Sequence, residues 1–198
     1  MSETKTKRTL VKEVNNGALY SDGTILVKNV RCSYPHVFKP SSFEGSEPAY
    51  SITGLMPKAD SHKAIHALLL KQIEKVMADA KIKALPADKK FLRDGDESDK
   101  AENEGCWTIS AREKKRPAVR DRDKSVLSSE DADKIYGGCY VNILIRPWAQ
   151  NNQFGKRVNS NLVAVQFVKD GEAFGEGRIS DSEVDDTFDS VDDSDDDI

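Results

Sequence analysis

Apolar residues recur along this chain with two different periods. In GTILVKNVRCSY, from Gly23, β-branched residues crowd a short run that follows a glycine and halts at Pro35, the pattern of a strand. YSITGLMPK (Tyr50–Lys58), CWTISAREKKRP (from Cys106), YGGCYVNILIRPWAQ and RVNSNLVAVQFVKDG read the same way, and NNQFGK joins the last two as a hairpin turn. From Ser61 the spacing changes. Ile65, Leu68, Leu69, Ile73, Val76, Met77 and Ala80 recur at three- and four-residue steps, which predicts a helix with Asp60 or Ser61 as N-cap and an end before Pro86. HVFKPSSFEGSEP reads as a loop, ADKKFLRDGDESDKAENEG as a long loop too polar for the core, and AVRDRDKSVLSSEDADKI as a turn-rich connection. The fold class expected is mainly β with one substantial helix. Five strands, mostly in meander order, fit an OB-like five-stranded barrel with long loops. The organisation expected is a flexible polar arm over 1–22, a folded domain over 23–180 and an acidic tail over 181–198.

Charge separates the tail from the rest. The 198 residues hold 30 Lys+Arg and 34 Asp+Glu, but the segment 181–198 has ten acids and no base. The body therefore carries 30 bases against 24 acids, a net charge of +6. A basic body joined to a polyanion points to nucleic acid. The tail, low in hydrophobicity and high in like charge, is expected to be disordered. An eighteen-residue coil has a reach of about 24 Å, enough to revisit the body's basic surface. Val184, Phe188 and Val191 stand at i, i+4 and i+7, so this segment can offer an apolar face to a partner. Cys32, Cys106 and Cys139 are odd in number and far apart, which fits free thiols in a reducing cytosol better than a disulfide framework. No apolar leader-like or membrane-length run appears, the longest being ALLL.

Candidate chemistry follows the charge. REKKRPAVRDRDK (Arg112–Lys124) packs seven bases and three acids after a strand bearing Trp107. Cations that track phosphates beside flat rings that stack bases make a single-strand groove. The residues expected to contact DNA are Tyr34, Tyr50, Arg93, Trp107, Arg112, Lys114, Lys115, Arg116, Arg120, Arg146, Trp148, Lys156 and Arg157. Arg93 is expected to be oriented by Asp94, whereas Tyr140 and Phe167, within apolar runs, are expected in the core. Asp94 and Asp96 flank a glycine and define a competing reading, a Mg²⁺-dependent nuclease, although Asp-Gly within so acidic a segment is the stronger signal of a solvated turn. His62 and His66 have ligand spacing but lack the metalloprotease glutamate. No nucleophile–base pair or phosphate loop is evident, so neither catalysis, a cofactor nor a metal is expected. A further competing reading is an acidic scaffold or chaperone for basic proteins.

The blocks YSITGLMPK, FLRDGD, YGGCYVNILIRPWA and LVAVQFVKDGEAFG carry a resemblance, from about Leu26 to Phe174, to a bacteriophage family of single-stranded DNA-binding proteins with an OB fold. The resemblance implies a sequence-independent binder of single-stranded DNA in phage replication or recombination, made in the cytoplasm of the bacterial host. The acidic end is similar in kind to those of other single-strand binders. From its charge, the segment with Phe188, Asp192, Asp193, Asp195, Asp196, Asp197 and Ile198 is expected to compete with DNA as a phosphate mimic and, once displaced, to recruit replication or recombination proteins.

Overall fold

The computed structural model describes residues 7–42, 44–175 and 181–190. Nine strands and two helices follow one another as β1 (Leu10–Val14), β2 (Gly17–Tyr20), β3 (Ile25–Ser41), β4 (Ala49–Pro57), α1 (Lys63–Asp79), β5 (Leu92–Asp94), β6 (Cys106–Glu113), β7 (Ala118–Arg120), β8 (Tyr140–Asn152), β9 (Gly155–Lys169) and α2 (Asp181–Thr187). The long strands β3, β4, β6, β8 and β9 are the five expected from the apolar runs.

Their pairing gives one curled sheet, ordered β5-β6-β4-β3-β8-β9-β7. The ladder stays open between β6 and β9, but three hydrogen bonds span the gap. Phe91 N–H donates to the Val158 carbonyl at 2.9 Å, and Ser110 N–H donates to the Phe91 carbonyl at 3.0 Å. The buried Ser160 hydroxyl donates to the Ser110 carbonyl at 2.7 Å. The result is the partly open Greek-key barrel of an OB-like fold, mainly β with one substantial helix.

β3 turns the corner. It pairs with β2 and β8 near its start and with β4 further on, and its ladders shift register between Val27 and Val30 and again between Ser33 and His36. Asn29 (φ 57°) and Tyr34 (φ 46°) adopt left-handed backbone inside those two shifts. Such bulges bend a strand and re-aim a side chain, at a cost that a non-glycine residue feels.

α1 covers the barrel with Ile65, Leu68, Leu69, Ile73 and Met77, the stripe expected from the sequence. Its ends differ from the expectation. Neither Asp60 nor Ser61 caps it, because a 3₁₀ turn over Asp60–His62 precedes the helix. Its close is a Schellman turn: Lys81 sits at φ 59°, Ile82 N–H reaches the Met77 carbonyl at 2.8 Å and Lys81 N–H the Ala78 carbonyl at 3.0 Å. Gly17 lets the helix approach β2, for a Cβ there would fall 2.2 Å from Ile65 Cδ1.

Four segments depart from the sequence reading. β3 does not halt at Pro35 but runs on to Ser41 through the expected loop, and Ala118–Arg120, in the expected turn-rich connection, forms β7 by pairing with β9. Residues 10–20, within the expected flexible arm, form the β1–β2 hairpin, which lies against β3. Backbone pairing rather than burial holds β1, whose side chains are largely exposed; a guanidinium–ring contact of 3.5 Å between Arg8 and Tyr20 adds to it. The long polar loop contains β5, and its Phe91 and Leu92 are buried. Two apolar residues suffice there because the strand joins an existing edge, that of β6. Cys32, Cys106 and Cys139 are free thiols.

Candidate nucleic-acid interface

A cleft of about 840 Å³ opens on the β4–β6 face. Ala49, Ser51 and Thr53 from β4, Ser110, Arg112 and Glu113 from β6, and Arg157, Asn159 and Asn161 from β9 line it, with the buried Ile52, Ala111 and Ser160 between them. Trp148 and Gln150 of β8 form one side, Ser46 and Glu47 of the β3–β4 connection another, and Tyr34 also lines it. This face, between the β3–β4 connection and the β8–β9 hairpin, is where OB barrels bind oligonucleotides and oligosaccharides.

Five cations line the cleft, Lys90, Arg93, Arg112, Lys114 and Arg157, against the two acids Glu47 and Glu113. Arg93 is held by the backbone, its Nη2 donating to the Asp88 carbonyl at 2.8 Å and its Nε to the Lys90 carbonyl at 3.0 Å. Arg112 Nη2 donates to the Glu47 carbonyl at 2.6 Å and so ties β6 to the β3–β4 connection. Lys114 pairs with Glu47, whose carboxyl its hydrogen bond and charge hold below the usual range. Lys90 and Arg157 make no side-chain ion pair among the described residues. Two exposed aromatic rings line the cleft, Tyr34 at 54% and Trp148 at 41%. The Tyr34 ring, delivered by the β3 bulge, carries Lys100 Nζ 4.1 Å from its centroid. Phe91 lies buried in the floor.

The other residues expected at a groove lie elsewhere. Trp107 faces α1, stacked on His66 with ring centroids 4.2 Å apart, and Lys58 Nζ lies 4.6 Å from its ring. It stands five positions before Arg112, an odd number, and so on the opposite face of β6. Tyr50, opposite Glu113, is half-buried outside the cleft lining. Lys115, Arg116 and Lys156 are exposed beyond it, and Arg120 donates to its neighbour's carbonyl, that of Val119. Arg146 is occupied by Asp22, Nη2 to carboxylate at 3.2 Å. Phe167 is buried as expected, whereas Tyr140 is half-buried with Lys169 Nζ 4.7 Å from its ring. Phe188 is exposed, and Asp192, Asp193, Asp195, Asp196, Asp197 and Ile198 lie outside the described residues.

Lys90, Phe91, Asn159 and Asn161 line the cleft without having been singled out from the sequence. Period-two alternation from Arg157 along β9 was the signal that finds both asparagines. Nothing local marks Lys90, which reaches the cleft only because the 90–91 segment spans the barrel gap.

The carboxylate pair has a different role from the metal site weighed above. Lys58 Nζ lies 2.5 Å from Asp94 Oδ1 and 2.6 Å from Asp96 Oδ2. These bonds raise the Lys58 ammonium; Lys58 foremost lowers Asp94, and the Gly105 N–H foremost lowers Asp96. Asp94 thus holds Lys58 and not Arg93. The histidines diverge as well: His62 Nε2–H donates to the Lys28 carbonyl at 3.0 Å while Nδ1 accepts from Ser61 at 2.8 Å, and His66 turns to Trp107.

A family model described as Enterobacter phage Enc34, ssDNA-binding protein, matches residues 23–198. The chain is 34% identical over 172 residues to putative protein p50 of Acyrthosiphon pisum secondary endosymbiont phage 1, covering 82% of this chain and 92% of that one. It is similar to the single-stranded DNA-binding protein from bacteriophage Enc34 solved in complex with ssDNA, with 49% identity and a TM-score of 0.80 over 85% of this chain and 99% of that one. The bacteriophage T7 single-stranded DNA binding protein gp2.5 shares the fold at 15% identity, with a TM-score of 0.56 over 79% of this chain and 97% of that one.

Proposed function

The chain belongs to the family of the Enterobacter phage Enc34 ssDNA-binding protein, and from that premise we propose that it binds single-stranded DNA in the β4–β6 cleft without transforming it. The observation that carries this reading is the lining itself: five cations against two acids, with two exposed rings at one surface. Lys90, Arg93, Arg112, Lys114 and Arg157 neutralise phosphates, while Tyr34 and Trp148 stack bases. Asn159, Asn161 and Gln150 add hydrogen bonds that suit any base edge or sugar. Stacking and phosphate contact do not read sequence, so binding is sequence-independent.

The acidic segment completes the proposal. Its carboxylates mimic phosphates and compete for the cleft, most strongly at low salt where screening is weak. DNA displaces them, and the freed segment then recruits replication or recombination proteins in the cytoplasm of the bacterial host. The test compares labelled poly-dT binding to the full chain and to a version ending at Ser180, in EDTA, at low and high salt. Truncation is expected to tighten binding, chiefly at low salt, with the oligonucleotide left intact. Equal affinities at both salts sink the competition, and no binding by either version sinks the cleft assignment.

A further inference from the structure

The tip of the β8–β9 hairpin holds the most exposed large apolar side chain among the described residues, Phe154 at 80%. We propose that Phe154 is an additional base-stacking platform beyond the cleft, which takes the next base of a single strand leaving past Trp148. The inference rests on the cleft reading above and extends it.

The ring is presented by an ordered turn. Phe154 N–H donates to Asn152 Oδ1 at 2.9 Å, and Gln150 Nε2 donates to the same oxygen at 3.3 Å. Asn151 Nδ2 donates to the Ala80 carbonyl at 2.9 Å, bracing the hairpin against the end of α1. Gly155, at φ 116°, supplies the turn conformation that a side chain resists. Hydrogen bonds thus fix the backbone of a residue whose ring packs on almost nothing. Such pre-ordering lowers the entropy lost when a ligand covers the ring.

Register places the tip on the cleft's line. The pairs Trp148↔Asn159, Gln150↔Arg157 and Asn152↔Gly155 succeed one another along the hairpin, and the first two contribute all four of their side chains to the cleft. The third pair is two residues further on, about 7 Å at the strand rise. Asn151, between the pairs, turns the other way toward α1. A strand running along the cleft face past Trp148 and Arg157 therefore meets the tip after about one or two nucleotides.

The surroundings favour nucleic acid over a protein. Gln150, Asn151, Asn152 and Gln153 are amides, and Lys156 and Arg157 follow the tip. A protein-docking patch needs contiguous apolar area, which one phenyl among amides does not supply. One ring beside two cations is the composition of a stacking platform with phosphate partners.

The experiment measures, in the full chain at fixed salt, the affinity of wild type, Phe154→Ala and Phe154→Trp for oligothymidylates of about 4–6 and about 12–16 nucleotides, the range of OB-fold site sizes. Phe154→Ala is expected to weaken the longer ligand by about 5- to 150-fold, the worth of one stacked base, and to leave the shorter one within about twofold. Phe154→Trp is expected to retain wild-type affinity for the longer ligand. Unchanged binding of the longer ligand by Phe154→Ala overturns the proposal. So does equal weakening at both lengths, and so does loss of self-association in sedimentation with DNA affinity unchanged, which assigns the ring to a second copy. A wild-type chain that binds neither length overturns the cleft reading itself.

Discussion

Removing cations from the cleft should change how binding responds to salt, by an amount the lining fixes. Each phosphate neutralised on a single strand contributes about 0.7 to the slope of log K against log salt. Five lining cations then give a slope of about −3.5, or about a 130-fold loss of affinity between about 50 and 200 mM salt. Lys90 and Arg157 are the cations to remove, since neither holds an ion pair within the described protein. Arg112 and Lys114 also anchor the β3–β4 connection, so their loss mixes charge with structure. Lys90→Gln with Arg157→Gln should bring the slope to about −2.1, about an 18-fold loss over the same interval. The assay is anisotropy of labelled poly-dT against the version ending at Ser180, so that release of the acidic segment does not enter the slope. Arg146→Gln is the control, because Arg146 lies outside the cleft and pairs with Asp22. An unchanged slope in the double variant, or an equal change in the control, refutes the assignment of phosphates to this cleft.

Two further outcomes follow from the side-chain geometry. The chain has two tryptophans, and DNA should quench the fluorescence of Trp107→Phe but not of Trp148→Phe; Trp148→Ala should weaken poly-dT binding by about 1–3 kcal/mol, while Trp107→Ala should lower the melting temperature and spare affinity. Burial pushes the Asp22 carboxyl up, yet the Thr24 hydroxyl and N–H with Arg8 and Arg146 outweigh it and hold the group at about 2, below its ordinary 3.8. A folded-state value below the unfolded one stabilises above about pH 4 and loses that contribution as pH falls toward 2, so acid-unfolding curves of Asp22→Asn should be flatter across this window.

The five long strands and α1 were legible because each buries one face continuously, which imposes a period on the sequence. β1, β2, β5, β7 and the part of β3 beyond Pro35 were not, since short or outlying strand segments held by backbone bonds need few apolar residues. The candidate site was legible in part for a related reason. Composition showed which residues were cationic or aromatic, and the cleft contains Tyr34, Arg93, Arg112, Lys114, Trp148 and Arg157 of those singled out. Which face each occupies depends on parity along a strand, and this sends Trp107 to α1. Which cations are free depends on distant partners: Asp22 engages Arg146 across 124 positions. Lys90 reaches the cleft through closure of the barrel, a property of the whole sheet rather than of its own neighbours.

The bulge at Tyr34 makes the cleft mouth a matter of residue count. From Ser33 to His36 on β3 is three steps, while the partner strand covers only two, from Thr53 to Ser51. A protein of the same fold with one residue fewer here would keep β3 and β4 in register from Ser33 to His36, and no residue would stand out of the ladder at Tyr34's place. Restoring tyrosine to such a chain by substitution would not restore the ring's position; an insertion would. Comparison of relatives at this point should therefore be made by gap placement first and by identity second, because a column-by-column match would set Tyr34 against a residue that faces the other way.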